Sequence, residues 1–246
     1  MLPGLGGAED GISWLNNGGV REFFAGRRVN AVFPVGGRSS MFTDWQRDDP
    51  VLGRNKWQTY LTRELPGIVD REFRTTGVNA ITGVSMSAGP ALTLAEAAPR
   101  LYRAVAAYSG CPGTTDPLGV GATVAVVSRG GGNVLNMWGA PGPAWVAHDP
   151  VVNADRLRGK AVYLSAASGV PSIAVDRGVH AAVGGLAGGA ELEAYALACT
   201  TNMANRLSAL RIPHTFRAFP RGSHSWGLFA SQLRDSWPVI GRAIGA

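Results

Sequence analysis

Cysteine, histidine and uninterrupted apolar stretches are all scarce in this chain of 246 residues. Its two cysteines, Cys111 and Cys199, form no C-x-x-C pair, and no group of His, Cys and Asp has metal-ligand spacing. A structural zinc site and a thioredoxin-like motif are therefore excluded, and neither a metal nor a cofactor is expected. The cysteines are compatible with one disulfide in an exported protein or with two buried thiols in a cytosolic one. Glycine is plentiful, yet no phosphate-binding loop emerges; Gly130, Gly131 and Gly132 read as a flexible turn. No apolar run is long enough to cross a bilayer. The net charge is +6, but the arginines are scattered and form no basic run, so they read as a solvated surface and not as a nucleic-acid footprint. Repeats, low-complexity segments and linkers are missing as well, which predicts one domain over residues 1–246.

The N-terminus lacks the charged region and apolar core of a signal peptide. Met1 to Gly7 reads instead as the end of a strand running into a glycine loop. A fold that starts there lacks its preceding strands, so N-terminal truncation is expected.

What the chain does contain is Gly83-Val84-Ser85-Met86-Ser87, set between a strand-like run, Val78 to Thr82, and a helix-like run, Ala88 to Ala98. A serine on a sharp strand-to-helix turn is the nucleophile elbow of α/β-hydrolases. The residues flanking it must be small; Gly83 and Ser87 satisfy this, although glycine usually stands where Ser87 does. The amide of Met86 is then free to face a developing oxyanion. A second donor should come from a loop after an early strand, which makes the amide of Leu5, within Pro3 to Gly7, its candidate.

Around the elbow, strands alternate with helices. Val29–Val35, Arg103–Ser109, Ala161–Ala166 and His214–Phe219 read as further strands. Helical spacing runs over Trp57–Phe73, broken by Pro66, and from Leu192 to Leu210. It returns over Ser231–Ile244, broken by Pro238. Val20 to Phe24 reads as a short helix, whereas Leu5–Gly19, Ser39–Gly53 and Gly169–Gly189 read as loops. The long stretch Pro112–Pro150 should carry short helices. The pattern predicts an α/β protein with a doubly wound, mostly parallel sheet.

Serine needs a base, and the base needs a carboxylate to orient it. His224 lies in a loop after the last strand, where this fold delivers its histidine. His148, His180 and His214 are placed less well. For the acid, Asp176 and Glu193 remain level on pattern alone, because a carboxylate in a first helical turn also favours the helix dipole. Glu191 is a weaker third.

These stretches together resemble the antigen 85 mycolyltransferases, secreted α/β-hydrolases of mycolic-acid bacteria, and among them the corynebacterial type. The resemblance rests on Pro34 to Ser40 with Asp44-Trp45, and on Lys56-Trp57 through Glu64-Leu65-Pro66-Gly67. It continues in the elbow through Ala95, then in Met137-Trp138-Gly139, Pro143-Ala144-Trp145, Asp149-Pro150 with Asn153, and His224-Ser225-Trp226. It implies Ser85 as nucleophile, His224 as base and, through Leu192-Glu193, Glu193 as acid. The implied oxyanion hole is the amides of Leu5 and Met86. The implied reaction moves a mycolyl chain from a trehalose ester to a second sugar by way of an acyl-enzyme. The implied location is secreted or in the cell envelope. The alternatives are a carboxylesterase with the same triad and a non-catalytic envelope-binding protein. Family members hold the sugar with an aspartate and an arginine, and this chain has Pro3 and Gly6 there; Trp226 and Arg38 are the candidates to replace them. Cys111 and Cys199 both fall near the expected active-site end, and in an exported protein they are expected to pair.

Overall fold

A computed structural model describes residues 1–176 and 188–246. Among the described residues, four strands make a parallel sheet in the order β1 (Asn79–Val84), β2 (Tyr102–Tyr108), β3 (Ala161–Ala167) and β4 (Thr215–Phe219). The central strands β2 and β3 are almost entirely apolar, as expected of strands covered on both faces. Ile81, Val105, Ala107, Val162 and Leu164 face one layer, with Leu92 of the helix Ala88–Ala97 and Met203 and Leu207 of the helix Gly189–Ala209. Ala104, Ala106, Tyr108 and Tyr163 face the other, with Trp14 and with Leu228, Leu233 and Ile240 of the closing helix Trp226–Ile244. The sheet is thus doubly wound. Each predicted strand from the elbow onward lies within two residues of its observed bounds.

Register fixes where the chemistry sits. Val84 pairs with Tyr108, Tyr108 with Ser165, and Ala167 with Phe219, so all four strands end at the same edge. The residues that follow them are Ser85, Ser109, Ser168 and Pro220, and these open the loops of the site.

The expected strand Val29–Val35 does not form. Its neighbour is the short segment Met1–Pro3, which makes isolated bonds instead of a ladder. The Met1 amine donates to Val32 O at 2.8 Å, and Leu2 N donates to Thr82 O at 2.8 Å. Away from those bonds, Val29–Val32 and β1 face each other across a groove of about 320 Å³. Two proline effects also differ from expectation. The closing helix begins at Trp226 and runs on through Pro238, because its buried apolar face outweighs the roughly 3 kcal/mol such a proline costs. The break ahead of Pro66 is a π-helical turn, Tyr60–Glu64, with Leu65 N bonded to Tyr60 O. Pro66 then starts a new helix, Leu65–Phe73. The stretch after Pro112 carries the helices Pro117–Arg129, Val134–Met137 and Pro143–Ala147. Leu5–Gly19, expected as a loop, contains one helical turn, Trp14–Asn17.

Glu96, on the elbow helix, is only 5% exposed, and its Oε1 has no hydrogen-bond partner among the described residues. Burial pushes its carboxyl up to about 10, against the opposing pull of Arg156. The folded chain therefore keeps this proton where the unfolded chain, starting from 4.5, has released it. Stability falls as pH rises through that window. Glu96→Gln is expected to stabilise the protein by ~1–3 kcal/mol at about pH 8 and by almost nothing at about pH 4. Thermal melts of both proteins at the two pH values check this.

Candidate active site

Ser85 sits at φ +57°, a left-handed conformation that is strained for any residue with a side chain. The strain follows from turning the chain from β1 straight into the 3-10 turn Ser85–Ser87 and the helix behind it. The turn is so tight that a Cβ on Gly83 would lie 2.0 Å from Ser87 O, and one on Gly110 would lie 2.4 Å from Ser85 O. Ser87 fits where glycine is usual because its buried hydroxyl accepts from Val84 N at 2.9 Å and points toward Val84 O at 3.1 Å.

His224 Nε2 lies 2.8 Å from Ser85 Oγ, and His224 Nδ1 lies 2.8 Å from Glu193 Oε2. His224 is delivered by the loop after β4. Its backbone is tied to the start of the next helix over by His224 N donating to Gly189 O at 3.0 Å. Its ring packs edge-on against Phe229 at 4.9 Å. Glu193 is fully buried in the first turns of Gly189–Ala209. Its Oε1 accepts from Ser109 Oγ and from Ala167 N, both at 2.7 Å.

Of the two carboxylates left level by pattern, the geometry brings Glu193 to the histidine ring. Asp176 goes to the loop instead: it accepts from Ser223 N at 3.0 Å and from Ser225 Oγ at 2.7 Å, on either side of His224. Glu191 is exposed. His148 stacks on Trp138 at 4.7 Å, and His214 bonds Ile212 O at 2.9 Å, so neither joins the site. His180 lies outside the described residues.

Leu5 lies beside the elbow, since a Cβ on the preceding Gly4 would stand 3.7 Å from Ser85 Cβ. Among the described residues the amides of Leu5 and Met86 donate to no acceptor, whereas Leu5 O is engaged by Ser39 N at 3.0 Å. Two unengaged amides beside a serine oxygen can stabilise a tetrahedral oxyanion. Trp226 is half-buried, with its ring against Trp14 at 5.2 Å and Phe229 at 5.5 Å, one ring removed from His224. Arg38 is exposed, and its backbone N donates to Glu9 Oε1 at 3.3 Å. Gly6 is crowded by a carboxylate, since a Cβ there would meet Asp10 Oδ2 at 2.2 Å. Cys111, in the loop after β2, and Cys199, on the Glu193 helix, form a disulfide with Cα atoms 4.8 Å apart. Among the described residues no group of three His, Cys, Asp or Glu side chains could hold a metal ion. Sequence reading missed Ser109 and the Ala167 amide, the two partners of Glu193 Oε1, which belong to no motif.

Glu193→Gln is expected to lower kcat on an activated ester by about 10³–10⁴-fold, because the amide cannot stabilise the imidazolium that forms. Asp176→Asn should cost far less, since it perturbs only the loop. A reversed order in steady-state kinetics of the two variants would remove Glu193 from its role.

The family model described as "Putative esterase" matches residues 8–239. The diacylglycerol acyltransferase/mycolyltransferase Ag85A of Mycobacterium tuberculosis is 32% identical, over 100% of this chain and 73% of its own length. The crystal structure of Mycobacterium tuberculosis MPT51 (FbpC1) superposes with a TM-score of 0.82 at 26% identity, covering 99% of this chain and 88% of that one. An S-formylglutathione hydrolase from Agrobacterium tumefaciens shares the fold, with a TM-score of 0.69 at 16% identity over 95% of this chain and 80% of its own. A parallel sheet with a serine, a histidine and a glutamate gathered at one edge, joined to these likenesses, leads to one conclusion: the chain belongs to the esterase family and, within it, to the antigen 85 group of diacylglycerol acyltransferase/mycolyltransferases.

Proposed function

We propose that this protein is a serine acyltransferase that moves a long acyl chain of mycolyl type between trehalose esters and sugar acceptors of the cell envelope. The observation that carries the reading is the unbroken chain from Ser85 Oγ to His224 to Glu193, with 2.8 Å at each link. Ser85 Oγ attacks the ester carbonyl while His224 Nε2 takes its proton. The amides of Leu5 and Met86 hold the oxyanion. Collapse breaks the bond to the sugar oxygen, which leaves with the proton from His224. A second sugar hydroxyl then gives its proton to His224 and takes the acyl group from Ser85, whose Oγ leaves with that proton from His224. Glu193 accepts from Nδ1–H throughout and stabilises the transient imidazolium. A disulfide fits an exported setting.

Transfer outruns hydrolysis only where a sugar hydroxyl is held against the acyl-enzyme better than water. Pro3 and Gly6 offer no charged side chain for this, and a hydrogen bond to a charged group contributes about 1.5–3 kcal/mol. Acceptor discrimination is therefore expected to be weaker by about ten-fold or more than charged contacts would give. The test supplies a short acyl-trehalose donor with free trehalose or glucose and measures acyl-sugar against free acid. Transfer to both sugars with a small preference for trehalose is the expected result. Free acid alone would establish the carboxylesterase reading in its place, and no turnover of any ester would leave the binding-protein reading.

A further inference from the structure

We infer that Ser109 is a positioning residue for this chemistry, acting through Glu193 and itself held by Gln232; this rests on the reading of Ser85, His224 and Glu193 given above. Three observations meet at this side chain. Ser109 Oγ lies 2.7 Å from Glu193 Oε1, and Gln232 Nε2 donates to the same hydroxyl at 2.8 Å. A carboxylate only accepts, so the hydroxyl proton points to Glu193 and its lone pair faces Gln232. Both Gln232 and Glu193 are 0% exposed, so no water substitutes for either contact from the surface.

The second observation concerns the backbone. Ser109 holds φ +49°, a conformation that glycine adopts at lower cost. It is the first residue beyond β2, and its N donates to Ser165 O at 2.8 Å, which continues the sheet bonding past the strand end. That bond fixes the backbone, and the left-handed turn aims the side chain at Glu193. Glycine would hold this backbone with less strain. A serine here is accounted for by its hydroxyl.

The third observation is how the carboxylate is divided. Ser109 Oγ and Ala167 N both bond Oε1, whereas among the described residues Oε2 receives only His224 Nδ1. With Oε1 doubly engaged, the carboxylate cannot rotate without breaking two bonds. Oε2 therefore stays in line with the imidazole. Gln232 serves as the backstop that keeps the Ser109 rotamer from turning away. The line from Gln232 through Ser109, Glu193 and His224 to Ser85 is thus continuous, and its first two members touch no reacting atom.

The experiment compares Ser109→Gly and Ser109→Ala with the parent on a soluble ester, recording kcat, KM and thermal midpoint. Both variants lose the hydroxyl, but only alanine keeps the backbone strain. Both are expected to lose kcat by about 10- to 100-fold with KM changed less than about two-fold, although Ser109→Gly melts no lower than Ser109→Ala. Gln232→Met, which removes only the outer bond, should lower kcat by about three- to ten-fold and provides the test if the Ser109 variants do not fold. Parental kcat in Ser109→Gly, or in Gln232→Met where that variant stands in, overturns the inference. So does activity that tracks thermal midpoint instead of hydroxyl content. Ser85→Ala measured alongside separates the two levels. If it still turns over ester, the underlying triad reading fails. If it is dead while Ser109→Gly is unimpaired, only the role given to Ser109 fails.

Discussion

Ser85→Ala is expected to abolish acyl-enzyme formation and to lower kcat by ~10⁶-fold, the loss seen when a triad serine is removed. The fold should survive. Alanine occupies φ +57° about as poorly as serine does, so the strain at the elbow is unchanged and only the oxygen is lost. His224 Nε2 keeps its place, because Glu193, Phe229 and the bond from its own backbone to Gly189 O still hold it. Intact mass after incubation with a fluorophosphonate probe gives the answer. The parent should gain one adduct and the variant none. Full labelling of the variant would move the nucleophile elsewhere.

Removing the disulfide should have the largest effect on stability. It joins residues 88 apart, and closing a loop of that length in the unfolded chain is worth about 3–4.5 kcal/mol. The cross-link also ties the helix that carries Glu193 to the loop that carries Ser109, and Thr200 Oγ1 reinforces the same join by donating to Gly110 O at 3.0 Å. The variant with Cys111→Ser and Cys199→Ser is therefore expected to lose that much unfolding free energy in a guanidinium titration, and part of its kcat with it. A midpoint equal to that of the oxidised parent would show that the bridge constrains nothing.

Ser85 and His224, which the structure brings within 2.8 Å of each other, were legible as candidates in the sequence because each depends on local pattern. The elbow announces itself by small residues between a strand and a helix, and His224 by its place after the last strand. Which carboxylate meets the histidine was not legible from pattern, and the reason is spatial. Asp176 and Glu193 both come from the crossover between β3 and β4, and both end at the same loop. One bonds the imidazole and the other bonds the backbone and hydroxyl on either side of it. Only the resemblance favoured Glu193 in advance. Ser109 and Gln232 escaped altogether, because a positive φ and an end-on hydroxyl leave no trace in residue order. Val29–Val35 failed for a different reason: its residue pattern is that of a strand, but strands form by pairing, and Met1–Pro3 supplies isolated bonds alone.

The parallel sheet also gives the molecule two unlike ends. Ser85, Ser109 and the His224 loop all leave the carboxyl ends of the strands. The exposed residues Arg74, Arg100, Arg103, Arg158 and Arg211 lie before or at the starts of β1, β2, β3 and β4, at the opposite pole. Attachment at that pole leaves the serine, the histidine and the glutamate clear of the support. Tethered through the Arg211–Pro213 turn, which precedes β4, the protein stands with its reacting end toward the bulk, oriented for use without any linker near the site.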